Sequence, residues 1–162
     1  MVNFINRTLQ FVNKSFEGKL HKDTIDTEVE NKLKELFNTV GKDIDDGEVK
    51  QGIIEIFDFI SYANKYFDEK QPWALAKTDV EACNQVLYNC VNIISNVNTL
   101  LKPYLPFSCE KVEDYLNIEN SKWEYISVGD ISIKPEIAPL YERYDKKVID
   151  EEVNKLNANK TC

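Results

Sequence analysis

Three residues of this chain have the types that hold an unstacked nucleobase. Asn3 and Arg7 stand four apart in the opening segment MVNFINRTLQFVNKSF, and Trp73 follows Pro72 in YANKYFDEKQPWALAK. Side chains four apart lie on one helix face, so an amide and a guanidinium project side by side there. The proline ends the preceding helix and presents the indole at a break. Single-stranded RNA is recognised by splaying its bases out, stacking them on aromatic or guanidinium planes and hydrogen-bonding their edges. Asparagine supplies a donor and an acceptor, arginine five donors in a fixed fork, and tryptophan the largest π face. The same residues also fit a plainer reading, a solvated stripe on an amphipathic helix and a half-buried core aromatic.

Helical periodicity runs through most of the chain and sets the elements that must position these side chains. In the first segment Val2, Ile5, Leu9, Val12 and Phe16 recur at three-four spacing, apart from a polar stripe of Asn3, Arg7, Gln10 and Lys14, and Gly18 ends it. A second helix is expected from a capping box of Thr27 and Glu30, carrying Val29, Leu33, Leu36, Phe37 and Val40 to Gly41 or to the turn at Asp45–Gly47. A third, from Val49 to Glu69, points Ile53, Ile56, Phe57, Ile60, Ala63 and Phe67 inward and stops before Pro72. Asp79 caps a fourth that reaches Lys102, with Cys83, Val86, Leu87, Cys90, Ile93, Ile94, Val97 and Leu101 on its apolar face. After the corner KPYLP, Ser108 caps a fifth helix that ends at Leu116 and buries Val112, Tyr115 and Leu116. Beyond Asn117 the pattern predicts an irregular wrap with one short strand at Asp130–Ile133, then a terminal helix over Lys147–Leu156 and a polar tail.

Composition is consistent with one mostly helical domain. The chain has 162 residues, 43% of them hydrophobic, with glycine and proline at five each, enough for a single buried core. No apolar run approaches the roughly 18 residues of a membrane span, and the N-terminus lacks a signal-peptide plan. A soluble, cytoplasmic protein is expected. The net charge is -8, the opposite of the basic footprint of a protein that grips nucleic acid chiefly through phosphates. The distribution is uneven, since residues 1–22 carry Arg7, Lys14, Lys19 and Lys22 against Glu17 alone, a local +3 that leaves -11 elsewhere. The basic stretch is the one holding Asn3 and Arg7, so base-centred recognition is expected, with phosphate binding supplied by other parts of a larger protein.

Catalytic and metal chemistry find no cast. Cys83, Cys90, Cys109 and Cys162 include no C-x-x-C pair, and Cys83 and Cys90, about 10 Å apart along a helix, are too distant to bridge. They read as buried apolar residues of a reducing compartment, and Cys162 as an exposed thiol. His21 is the sole histidine and has no triad pattern beside it. Asp43, Asp45, Asp46 and Glu48 lack EF-hand spacing and read as a solvated turn.

Four segments, VNFINRTLQFVNKSFEGKL (Val2 to Leu20), YANKYFDEKQPWALAK (Tyr62 to Lys77), LLKPYLPFSCEKVEDYLN (Leu100 to Asn117) and PLYERYD (Pro139 to Asp145), carry a resemblance over almost the whole chain. In order and spacing they resemble the C-terminal helical anticodon-binding domain of methionyl-tRNA synthetase, a class I aminoacyl-tRNA synthetase. The resemblance implies an all-α fold, a bundle of about five helices. Residues 1–162 would form one domain, with a helical core over 1–117 and the wrap and terminal helix over 118–162. It also implies that Asn3 and Arg7, matching a family pattern N-x-x-x-R, and Trp73, matching the tryptophan of its P-W pair, contact the bases of the CAU anticodon of tRNA(Met). Trp123 resembles the tryptophan that follows the bundle in this family, where packing is its expected job.

The chain would then be non-catalytic. The family's HIGH-like and KMSKS-like signatures are absent from the sequence, as is any glycine-rich phosphate loop. No cofactor is expected for this chain, since ATP and Mg²⁺ are used by the catalytic domain. The implied partners are the anticodon loop of tRNA(Met) and the synthetase catalytic domain, in cis or in trans, with neither DNA nor membrane among them. The alternative is a free-standing synthetase-like protein-interaction module that has lost RNA binding, which the acidity favours and the intact trio opposes.

Overall fold

Helix α5 (Val80–Leu101) is the axis of the molecule, every residue from Val86 to Leu101 being buried. Around it stand α1 (Val2–Phe16), α2 (Thr27–Asp45), α3 (Val49–Lys70), a short α4 (Pro72–Thr78) and α6 (Pro106–Leu116). Strand β1 (Lys19–Leu20) pairs antiparallel with β2 (Ile131–Ser132), Lys19 opposite Ser132 and Leu20 opposite Ile131, and α7 (Lys146–Ala158) follows. The computed structural model describes residues 2–118, 122–138, 140 and 146–158. The tail, Cys162 and most of the PLYERYD segment lie outside the described residues. Among the described residues no helix is long and apolar enough to cross a membrane.

The all-α bundle is the fold that the periodicity predicts. Asp79 caps α5 as expected, its carboxylate accepting the Ala82 N–H at 3.0 Å. Gly18 ends α1 with φ +76°, and a β-carbon there would lie 2.7 Å from Asn13 Oδ1 and 2.8 Å from the Ile133 carbonyl.

α5 departs from the amphipathic helix of the sequence pattern because its polar face is buried too. A row of asparagines on that face serves backbone groups that have no ladder partner. Asn96 accepts the Ile126 N–H at 2.9 Å and donates to the Ile126 carbonyl at 2.8 Å. Asn92 accepts the Val128 N–H at 2.9 Å, Asn89 accepts the Asp26 N–H at 2.9 Å, and the Tyr88 hydroxyl donates to the Val128 carbonyl. Asn96, Asn92 and Tyr88 thus hold the irregular wrap on the bundle, and Asn89 holds the start of α2.

Several expectations need correction. α2 is capped by Asp26, which accepts the Glu28 N–H at 2.9 Å, rather than by Thr27, and it runs through Gly41 to Asp45. Gly41 makes room for Trp123, whose Nε1 a β-carbon there would approach to 3.1 Å. That indole donates to the Phe37 carbonyl at 3.2 Å and meets the Phe37 ring edge-on, so Trp123 packs on the bundle. In α3, Phe57 is 40% exposed, and Phe59 takes the buried place. Phe57 and Phe59 are about 200° apart around the helix, so a single run of apolar residues left the choice open. α6 starts at Pro106 with no side-chain cap, and Ser108 is buried within its first turn. The strand at Asp130–Ile133 reduces to Ile131–Ser132, and its partner β1 had no periodic signal.

Candidate nucleic-acid interface

The corner that carries Trp73 is built by one left-handed residue. Gln71 (φ 46°, ψ 59°) caps two helices, donating its N–H to the Phe67 carbonyl at 3.2 Å and accepting the Ala74 N–H at 2.8 Å. Pro72 then opens α4, where its fixed φ and missing N–H suit the first helical position, so the break predicted at this proline is a turn into a further helix. The Cys83 thiol donates to the Pro72 carbonyl at 3.3 Å and ties the corner to α5. Trp73 emerges 44% exposed.

Phe67 brings the corner and α1 together. Its ring, 3% exposed, lies 6.0 Å from that of Trp73 at a 45° tilt and 6.4 Å edge-on from Phe4. The Arg7 guanidinium stacks over the same ring, 4.3 Å from its centre. Arg7 is further fixed by Nη1 donating to Asp68 Oδ1 at 2.8 Å and Nη2 donating to the Asn64 carbonyl at 2.9 Å. Its Nε is buried with no hydrogen-bond partner among the described residues. Two of five N–H donors are thus engaged and a third is enclosed, so a base edge meets only the remaining bonds of the two terminal nitrogens. Asn3 lies one turn before Arg7 on α1 and is exposed.

The structure therefore joins Arg7 and Trp73 through a shared ring, with Asn3 a turn away on the helix that carries Arg7. Sequence reasoning placed Phe67 in the core and passed over Asn64 and Asp68. The signal was there, since Asn64, Phe67 and Asp68 follow the i, i+3, i+4 rule and form one face just before the Pro-Trp corner. Among the described residues no cluster of His, Cys, Asp and Glu could hold a metal ion. Cys83 is pushed up to about 11 and Cys109 to about 12, both chiefly by burial, which leaves them as thiols at neutral pH.

A corner that presents a half-exposed indole beside a stacked guanidinium offers chemical groups suited to planar ligands. Comparison with known proteins identifies the family of the chain. A family model described as the anticodon binding domain of methionyl tRNA ligase matches residues 18–157. Methionine-tRNA ligase of Streptococcus pneumoniae strain CGSP14 is 43% identical over 159 residues, and that of Bacillus cereus strain 03BB102 is 42% identical over 154. Each match takes in 95% of this chain but 28% of the relative, so the chain spans little more than a quarter of their length. The fold also resembles Mycobacterium tuberculosis methionyl-tRNA synthetase. Its free-state crystal structure matches with TM-score 0.76 and 22% identity over 88% of this chain and 31% of that one. Its complex with methionyl-adenylate matches with TM-score 0.78 and 21% identity over 87% and 30%. The chain belongs to the family of anticodon-binding domains of methionyl tRNA ligase.

Proposed function

We propose that this chain recognises the CAU anticodon of tRNA(Met) and so contributes substrate specificity to methionine-tRNA ligation, without performing the chemistry. Binding the anticodon at one end of a tRNA selects which acceptor end reaches a distant active site. The observation that carries the reading is the ring of Phe67 serving Arg7 and Trp73 together, within a domain of this family. Trp73 stacks a splayed base, and Asn3 and Arg7 hydrogen-bond base edges. Arg7 reads from an orientation already set by Asp68 and the Asn64 carbonyl, which lowers the ordering entropy lost on binding. The ligation itself, with its ATP and Mg²⁺, belongs to a catalytic domain that is this chain's second proposed partner, and the setting is the cytoplasm.

Stacking on an aromatic is worth about 1–3 kcal/mol per base, so Trp73→Ala weakens binding of a CAU-bearing stem-loop roughly 5- to 150-fold. The helical circular dichroism stays as it was. A folded variant that binds this RNA as tightly as the parent chain removes the stacking role. The net charge of -8 favours one other reading, a protein-interaction module without RNA affinity. Failure of the parent chain to bind the stem-loop at low salt would select it.

A further inference from the structure

A groove of about 570 Å³ opens where α1 ends and α5 begins, walled by Phe16, Lys19, His21, Lys22, Val80 and Asn84 together with the carboxylates of Asp23 and Glu81. Both helices that carry the base readers lead towards it. α1 runs from Asn3 to Phe16, about 20 Å at the helical rise, and α4 runs from the Trp73 corner to the start of α5. The groove joins an apolar floor, half-buried Phe16 and Val80 at 59% exposure, to two exposed ammonium groups. Neither Lys19 nor Lys22 is in an ion pair among the described residues.

The rim is held in advance. Asn84 accepts the His21 N–H at 3.2 Å and donates to the His21 carbonyl at 3.1 Å, while Asp130 accepts the Lys22 N–H at 2.8 Å. Of the two carboxylates in the lining, Asp23 is engaged by both of its oxygens, one accepting from the Thr24 N–H at 2.6 Å and the other from Asn84 of α5 at 3.3 Å. The other, Glu81, sits in the first turn of α5, where the positive end of the helix answers it. An apolar, pre-formed concavity of this size with a few convergent polar groups suits a ligand that is flat at one end and anionic at the other.

We infer that this groove takes an unstacked nucleotide of the bound RNA outside the anticodon triplet, its base against Phe16 and Val80 and its phosphates on Lys19 and Lys22. The inference rests on the anticodon reading above. It also gives this acidic chain a phosphate contact of its own, which the charge balance assigned to other parts of a larger protein.

The test uses the whole chain and two stem-loops, one with CAU and one with a single-base variant, titrated at several salt concentrations. In the Lys19→Gln, Lys22→Gln double variant the slope of log K against log salt becomes shallower by about 1.4, two contacts at the single-strand value. The ratio of affinities for the two RNAs does not change. A matched pair, Lys32→Gln with Lys50→Gln on α2 and α3, leaves the slope within error of the parent. Val80→Asp keeps α5 folded, since an acid is favourable in its first turn, and weakens both RNAs equally. An unchanged slope in the Lys19, Lys22 variant, with the CAU preference intact, overturns the groove and spares the anticodon reading. An equal change in the control pair also overturns it, and loss of all RNA binding by the parent chain overturns both.

Discussion

Replacing Phe67 by leucine tests whether one ring positions both readers. The substitution keeps most of the buried volume while removing the π face under Arg7 and beside Trp73. The guanidinium sits 4.3 Å from the ring centre with its side chain 26% exposed, so its attraction is worth about 1 kcal/mol, between exposed and fully desolvated cases. The contacts with Trp73 at 6.0 Å and Phe4 at 6.4 Å add about 0.5–1.5 kcal/mol each. Phe67→Leu is therefore expected to destabilise the chain by about 2–4 kcal/mol, read from urea unfolding midpoints at unchanged slope. Phe59→Leu is the control, because Phe59 is also buried on α3 and pairs with the Tyr62 ring at 5.5 Å, with no ring contact to Arg7 or Trp73. Measured where both variants are folded, Phe67→Leu lowers affinity for a CAU stem-loop by roughly 5-fold or more, the lower end of the stacking range, and lowers discrimination as well. Phe59→Leu does neither. Equal effects of the two variants on RNA binding would refute the claim that Phe67 aligns the readers.

Arg7→Lys keeps a charge for Asp68 but loses the planar fork, and discrimination between CAU and a single-base variant falls by about 1–3 kcal/mol in fluorescence titrations. An Arg7 that touched only phosphate would lower both affinities alike. Asn96→Ala orphans the Ile126 N–H and carbonyl and costs about 2–4 kcal/mol in urea unfolding, with the CAU preference unchanged. A loss under 1 kcal/mol would mean that water serves that segment as well as the amide does. Burial raises the thiols of Cys83, Cys90 and Cys109, so they carry little thiolate at pH 8, and a thiol reagent reaches them only as the chain unfolds. Labelling of any of the three much faster than unfolding would contradict their burial.

The local signals in the sequence determined α1, α3 and α5, the Asp79 cap, the stop at Gly18 and the corner at Pro72, because each depends on residues within a turn or two of one another. Residue type alone left Asn3, Arg7 and Trp73 open between base contact and an ordinary helix surface, and the base-contact role proposed for them comes from the family resemblance. Tertiary structure decided what those types are free to do. Arg7 meets Asn64 and Asp68 from more than fifty residues away, and only that packing decides which of its donors are engaged within the chain. The same holds for the buried asparagines of α5. On a helical wheel they mark a solvated face, yet they are enclosed because the wrap from Tyr125 to Val128 has no strand or helix of its own and must find backbone partners on the bundle. Gly41 looks like a stop until the Trp123 indole occupies the space its missing side chain leaves. Periodicity records which residues leave water, and the partners that receive them are set by contacts far apart in the chain, where no spacing rule reaches.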